Sequence, residues 1–227
     1  MLDSARSRRG RYAFTSLRPA RLRQMVHHGF TLDEGPPIPF GFAGRWIVVT
    51  AIGWLVGILC LLLIDVGAEA IGWPAQFGIG LGIGVGVGFF QWRLARRSFG
   101  ASGWWMWWSG LGLACPFAIC DLAGYGLSGS ALIAAAALGG LIAGLGQARL
   151  LGVRVPKRYW WVAASLSGWA AASATTVTLA IPGRPASALQ WVRQLLALAG
   201  GGIILAAVTG PILAWLLSVH QPPPKPS

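Results

Sequence analysis

Acidic residues are scarce in this chain. Six Asp and Glu stand against eighteen Lys and Arg in 227 residues, and charge of either sign occupies only 11% of positions, less than half the ~25% of an ordinary soluble domain. The three histidines, His27, His28 and His220, lie near the two ends. No Cys or carboxylate cluster at ligand spacing accompanies them, so no metal or tetrapyrrole site is expected. The three cysteines, Cys60, Cys115 and Cys120, fall inside apolar stretches. There a thiol packs as a small hydrophobe, and a disulfide framework is not implied. A phosphate-cradling GxxxxGK loop is also missing, because the glycines sit within apolar runs. These shortages leave no reactive pair to assign, and the expectation is a non-enzymatic protein with no predicted cofactor.

What abounds is apolar length. Mean hydropathy is +0.62 and 55% of residues are hydrophobic. Between Arg45 and Asp65 lie 19 uncharged residues, close to the ~20 a helix needs to cross a bilayer. The gaps Glu69 to Arg93, Arg97 to Asp121, Asp121 to Arg149, Arg158 to Arg184 and Arg193 to Lys225 are longer. They predict an all-α membrane protein of six transmembrane helices: about Trp46 to Ile64, Ile71 to Trp92, Gly103 to Ala123, Ala131 to Leu151, Tyr159 to Ile181 and Leu195 to Val219. An outer-membrane strand is only about 10 residues long and alternates apolar with polar, which these runs do not.

Sidedness follows from the basic residues. Sixteen of the eighteen fall in the N-terminal tail, at Arg93 to Arg97, at Arg149 to Arg158 and at Lys225, leaving Arg184 and Arg193 for the other side. Asp65, Glu69 and Asp121 fall on that second side. The pattern predicts a bacterial inner-membrane protein with both termini cytoplasmic. The formal charge of +12 then reflects topology and anionic headgroups rather than nucleic-acid binding.

A repeat underlies the spans. Gly80, Gly84 and Gly88 recur every fourth residue, forming a smooth helical stripe along which another backbone can approach; Gln91 and Arg93 follow. Ala136, Gly140 and Gly144 repeat the stripe, with Gln147 and Arg149 after it. Gly202, Ala206 and Gly210 form a third copy, with Leu213 in the place of the glutamine. Each stripe is preceded by a helix led by tryptophan, with a hydroxyl at plus four and glycine at plus seven: Trp46, Thr50, Gly53; Trp105, Ser109, Gly112; Trp161, Ser165, Gly168. Three such matches in order argue for three parallel two-helix repeats, about 45–97, 104–155 and 160–219. The expectation is that the glycine helices pack centrally, with the Trp-led helices outside.

Individual polar groups read mostly as structural. Gln91 and Gln147, each with its arginine, suggest interhelical hydrogen bonds and arginines reaching headgroups; a sharper alternative is a pair of lipid or anionic-ligand contacts. Asp121, followed by Leu122, Ala123, Gly124 and Tyr125, suggests a solvated helix end at the outer interface rather than an ion site. Pro116 and Pro211 are the only hints of broken helices. Trp104, Trp105, Trp107, Trp108, Trp160 and Trp161 suggest an aromatic belt. Trp54, Trp169 and Trp108 lie deeper and suggest bundle packing, or a wall for a pigment, quinone or sterol-like lipid. Gly126 to Gly129 resembles the GxSG nucleophile motif of rhomboid proteases, but the histidine that family carries in its sixth helix has no counterpart within the sixth span. Ser128 is therefore read as a turn before a helix.

Residues 1–44 form a basic tail, too long and too polar for a cleaved secretory signal; Pro19 to His28 can form a short interfacial helix. Residues 220–227 form a proline-rich tail. Loops between spans are short, so activity is expected in or at the bilayer.

The Trp-led helix, the glycine helix and its ending from Gly88 through Gln91, Trp92 and Leu94 to Arg96 and Arg97 resemble a group of uncharacterised bacterial multi-pass proteins built from such hairpins. The resemblance covers about Arg45 to Leu217 and implies architecture only. The expected function is an accessory or scaffold subunit of a larger membrane complex with partner subunits. The alternative is a small-solute transporter or a component that binds a hydrophobic ligand.

Overall fold

A computed structural model of the protein describes residues 41–70, 76–126, 128–152, 155, 157–179 and 187–219. Residues 1–40 of the basic tail, with Pro19 to His28, all three histidines and the proline-rich C-terminus lie outside the described residues, whereas 42–44, expected in the tail, already belong to the first described helix. Among the described residues six helices follow in chain order: α1 (Phe42–Ala70), α2 (Gln76–Phe99), α3 (Trp104–Leu122), α4 (Ser130–Leu151), α5 (Tyr159–Leu179) and α6 (Ala188–Ser218). Each overlaps one expected span, and no strand occurs among the described residues. Four are long and apolar enough to cross a membrane: α1 over Phe42–Ala68, α2, α4 and α6. The other two are the shortest, at 19 and 21 residues, and are diluted by Trp, Ser and Thr.

Each helix packs on its neighbours in sequence, and α6 packs back on α1, closing a six-membered ring. The alternating glycines of α2 explain how it fits between two partners. On a helix, residues two apart are separated by about 200°, so a run that looks strand-like becomes two opposed rows. Gly82 and Gly86 face α1: a Cβ on Gly86 would lie 2.5 Å from the Gly53 carbonyl oxygen and 2.7 Å from Gly57 Cα. Gly84 and Gly88 face α3, where a Cβ would lie 2.6 Å from the Ser109 carbonyl oxygen and 2.6 Å from Ser109 Cβ. Gly80 abuts Leu113 on the same side. Backbones therefore touch on both flanks, which any side chain larger than hydrogen prevents.

The other two stripes face the next Trp-led helix in the ring. Gly140 and Gly144 meet α5 at Ser165, Trp169 and Val162; Gly202 and Gly210 meet α1 at Ala51, Trp54 and Trp46. The expected order of glycine helices inside and Trp-led helices outside does not hold, since every helix is a ring member and the middle is filled by indoles from α1, α3 and α5. Large rings fill an axis, whereas small residues are needed where helices lie flank to flank.

Neither internal proline breaks its helix: α3 continues through Pro116 and α6 through Pro211. Packing on both flanks holds the helical path although each proline removes a backbone hydrogen bond. Ser128 and Gly129 precede α4, and the Ser128 carbonyl accepts from the Ala131 N–H at 3.1 Å.

Candidate functional site

Trp46, Trp105 and Trp161 begin the inward-facing rows of α1, α3 and α5. All three are at most 1% exposed. Their ring centroids are 6.2 Å apart for Trp46 and Trp105, 5.9 Å for Trp46 and Trp161, and 5.4 Å for Trp105 and Trp161. The first two contacts are edge to face, the geometry favoured by opposed ring quadrupoles. The aromatic belt therefore divides: Trp104, Trp107 and Trp160 are exposed, while Trp105 and Trp161 turn inward.

A polar girdle surrounds this layer. Gln91 Nε2 donates to Thr50 Oγ1 at 3.2 Å, joining α2 to α1. Gln147 Nε2 donates to Ser109 Oγ at 2.8 Å and to the Trp105 carbonyl at 3.3 Å, while its Oε1 accepts from Trp161 Nε1 at 3.0 Å. Gln147 thus joins three helices. Ser165 Oγ donates to the Gly140 carbonyl at 2.8 Å. Where Leu213 replaces the glutamine, the acceptor comes from one turn earlier: Trp46 Nε1 donates to Thr209 Oγ1 at 3.1 Å. The girdle is incomplete at one point, because Trp105 Nε1 is buried with no partner.

The glutamines and their arginines do not converge. Gln91 and Gln147 are buried, whereas Arg93 and Arg149 are exposed, as expected for helical residues two apart. Asp121 stands at the opposite end of the bundle from the tryptophan layer. Its Oδ2 accepts from the Phe77 N–H at 2.7 Å, putting a carboxylate at the first turn of α2 where the helix dipole favours it. Its Oδ1 is buried without a partner. Beside it, Gln76 Nε2 donates to the Tyr125 carbonyl at 3.0 Å.

Eight residues beyond the first layer, Trp54, Leu113 and Trp169 occupy corresponding places and belong to one buried cluster. Trp54 and Trp169 lie 5.6 Å apart, and Trp54 Nε1 donates to the Leu198 carbonyl at 2.7 Å. Above this second layer, toward the Asp121 end, lies a chamber of about 250 Å³. All six helices line it, as Trp54, Ile83, Phe117, Leu132, Trp169 and Leu198 illustrate. Among the described residues, Ser173 and Thr176 are the only hydroxyls on the wall. Leu62 lines the chamber and is itself 55% exposed, so the space reaches the surface beside α1.

The chain matches no family model, no curated protein and no solved structure.

Two features of the site had weak signals in the sequence. Thr209 lies four residues before Leu213, and its role emerges only when the missing glutamine is paired with the still-buried Trp46. The chamber needs one residue from each helix, and no linear spacing encodes that.

Proposed function

We propose that this chain is a non-enzymatic, multi-pass inner-membrane protein that holds a single apolar ligand in its axial chamber. The observation that carries the reading is the chamber itself: an apolar space lined from every helix and backed by two successive aromatic layers. Its volume, about 250 Å³, is just below the ~300 Å³ at which drug-sized pockets begin. That suits an acyl-chain end or the ring of a quinone better than a tetrapyrrole pigment. The aromatic layers favour holding a molecule over passing it along the axis.

In this reading all six helices span the bilayer, including α3 and α5, whose 19 and 21 residues give about 28–32 Å at 1.5 Å per residue, matching the ~30 Å hydrocarbon thickness. The three hairpins are parallel repeats around the axis, supported by the matched tryptophans that meet there and by stripes that each face the next hairpin. Both termini are cytoplasmic, supported by the basic-residue bias. The same hairpins support kinship with the bacterial multi-pass group that they resemble.

The test uses heavy-atom quenching. The full chain in mild detergent is titrated with a fatty acid brominated near its tail, and tryptophan fluorescence is followed. Saturable quenching should be lost in Ser173→Leu, which fills the chamber without adding a fluorophore. Equal quenching of the two proteins would remove the reading.

A second reading, an accessory or scaffold subunit, is favoured by α1. Val48, Ile52, Leu55, Leu59, Leu63 and Val66 on it are all more than 40% exposed, a broad face suited to a partner helix. A stoichiometric membrane partner after gentle purification would support it.

A further inference from the structure

We propose that the basic end of α2 carries a site for the phosphate of an anionic lipid headgroup. Trp92, Arg93, Arg96 and Arg97, with Phe89 at the edge, line a notch of about 500 Å³. Arg93, Arg96 and Arg97 are exposed, and the Arg96 guanidinium lies 5.6 Å from the Trp92 ring centroid. Cation–π contact holds this guanidinium in place without consuming its hydrogen-bond donors. The notch therefore brings together three guanidiniums, one of them held against the Trp92 ring.

Among the described residues no acid shares this end of the bundle with these donors. The acids of the described residues, Asp65, Glu69 and Asp121, belong to the far ends of α1 and α3. An oxyanion with several acceptor atoms fits, and phosphate is the anion that several guanidiniums recognise best. Phe89 packs at 6.0 Å from Trp92 and 5.4 Å from Phe90, providing an apolar border on the bilayer side of the notch for the start of an acyl chain. The corresponding end of α4 has one arginine in its last turn, Arg149, and the end of α6 has no basic residue there. The site belongs to one hairpin rather than to all three.

The inference rests on α2 crossing the bilayer with this end cytoplasmic, and is independent of the axial chamber. Native mass spectrometry of the full chain in neutral detergent tests it, with phosphatidylglycerol and phosphatidylcholine of identical chains as probes and inorganic phosphate as competitor. One phosphatidylglycerol should be retained at least tenfold more tightly than phosphatidylcholine. Replacing Arg93, Arg96 and Arg97 together by Gln should abolish that preference, Trp92→Phe should weaken it several-fold, and Arg149→Gln should leave it intact. A triple Lys variant, which keeps the charge, should retain part of the preference and guards against misfolding of the Gln variant. Equal retention of the two lipids, or an unchanged preference in the Gln variant, overturns the site. Displacement by millimolar inorganic phosphate overturns the lipid assignment. Sidedness is checked separately by thiol labelling of a Cys placed at Ser98: modification from the periplasm refutes the topology, whereas lost lipid preference with cytoplasmic labelling refutes the site alone.

Discussion

Replacing Gly86 by alanine should drive α1 and α2 apart. The added Cβ would stand 2.5 Å from the Gly53 carbonyl oxygen and 2.7 Å from Gly57 Cα, against an optimum near 3.5–4.0 Å for carbon contacts. Both obstacles are backbone and neither can rotate away, so the helices must separate by about 1 Å. A radial gap of that size forfeits roughly a quarter to a half of each contact's attraction along the seam, and overpacking of this kind costs about 1–3 kcal/mol. Alanine opposes part of this loss, being about 1 kcal/mol better than glycine inside a helix. The control is Gly67→Ala on α1, where nothing lies within 4 Å of the new Cβ and only the propensity gain remains. Comparing the two substitutions cancels that gain and isolates the steric cost. At about 2–4 °C per kcal/mol for a chain of this size, Gly86→Ala should melt roughly 2–12 °C below Gly67→Ala when unfolding is followed in detergent by tryptophan fluorescence. Equal melting temperatures, or a more stable Gly86→Ala, would refute backbone-to-backbone packing of these helices.

Thr209→Val should leave the Trp46 indole N–H buried without an acceptor and cost about 1–3 kcal/mol; adding Leu213→Gln, which restores the glutamine of the other hairpins, should recover part of the lost melting temperature. Asp121→Ala should free the first turn of α2 at a cost of about 0.5–2 kcal/mol, seen as faster hydrogen exchange at Phe77, while Asp121→Asn, which keeps an acceptor, should lose less. Ser173→Leu should raise thermal stability in the absence of ligand by filling the axial chamber, and should eliminate stabilisation by the brominated fatty acid; if that stabilisation survives, the ligand sits elsewhere.

Helix number and placement were legible in the sequence because charges that cannot enter hydrocarbon cheaply mark the ends of apolar runs. The triple Trp, hydroxyl and glycine spacing was equally legible, since helical periodicity converts chain separation into a common face. Opposed placement of Gln91 and Arg93 follows from the same periodicity, although their closeness in the chain suggested a joint contact. Asp121 was placed at a helix end from its neighbours, but its partner Phe77 is 44 residues away, beyond the reach of any local pattern.

By itself, the amino-acid order determined which segments are helical, which carry small residues at fourfold spacing and which end is basic, because these are properties of one helix in one solvent. Tertiary structure alone decided that the glycine run of α2 serves two partners, that three distant indoles meet on an axis, and that Thr209 substitutes for an absent glutamine. It also decided that all six helices line one apolar chamber. The first needs only the two chain neighbours of α2, whereas the others depend on ring closure between α6 and α1, which brings together residues far apart in the chain.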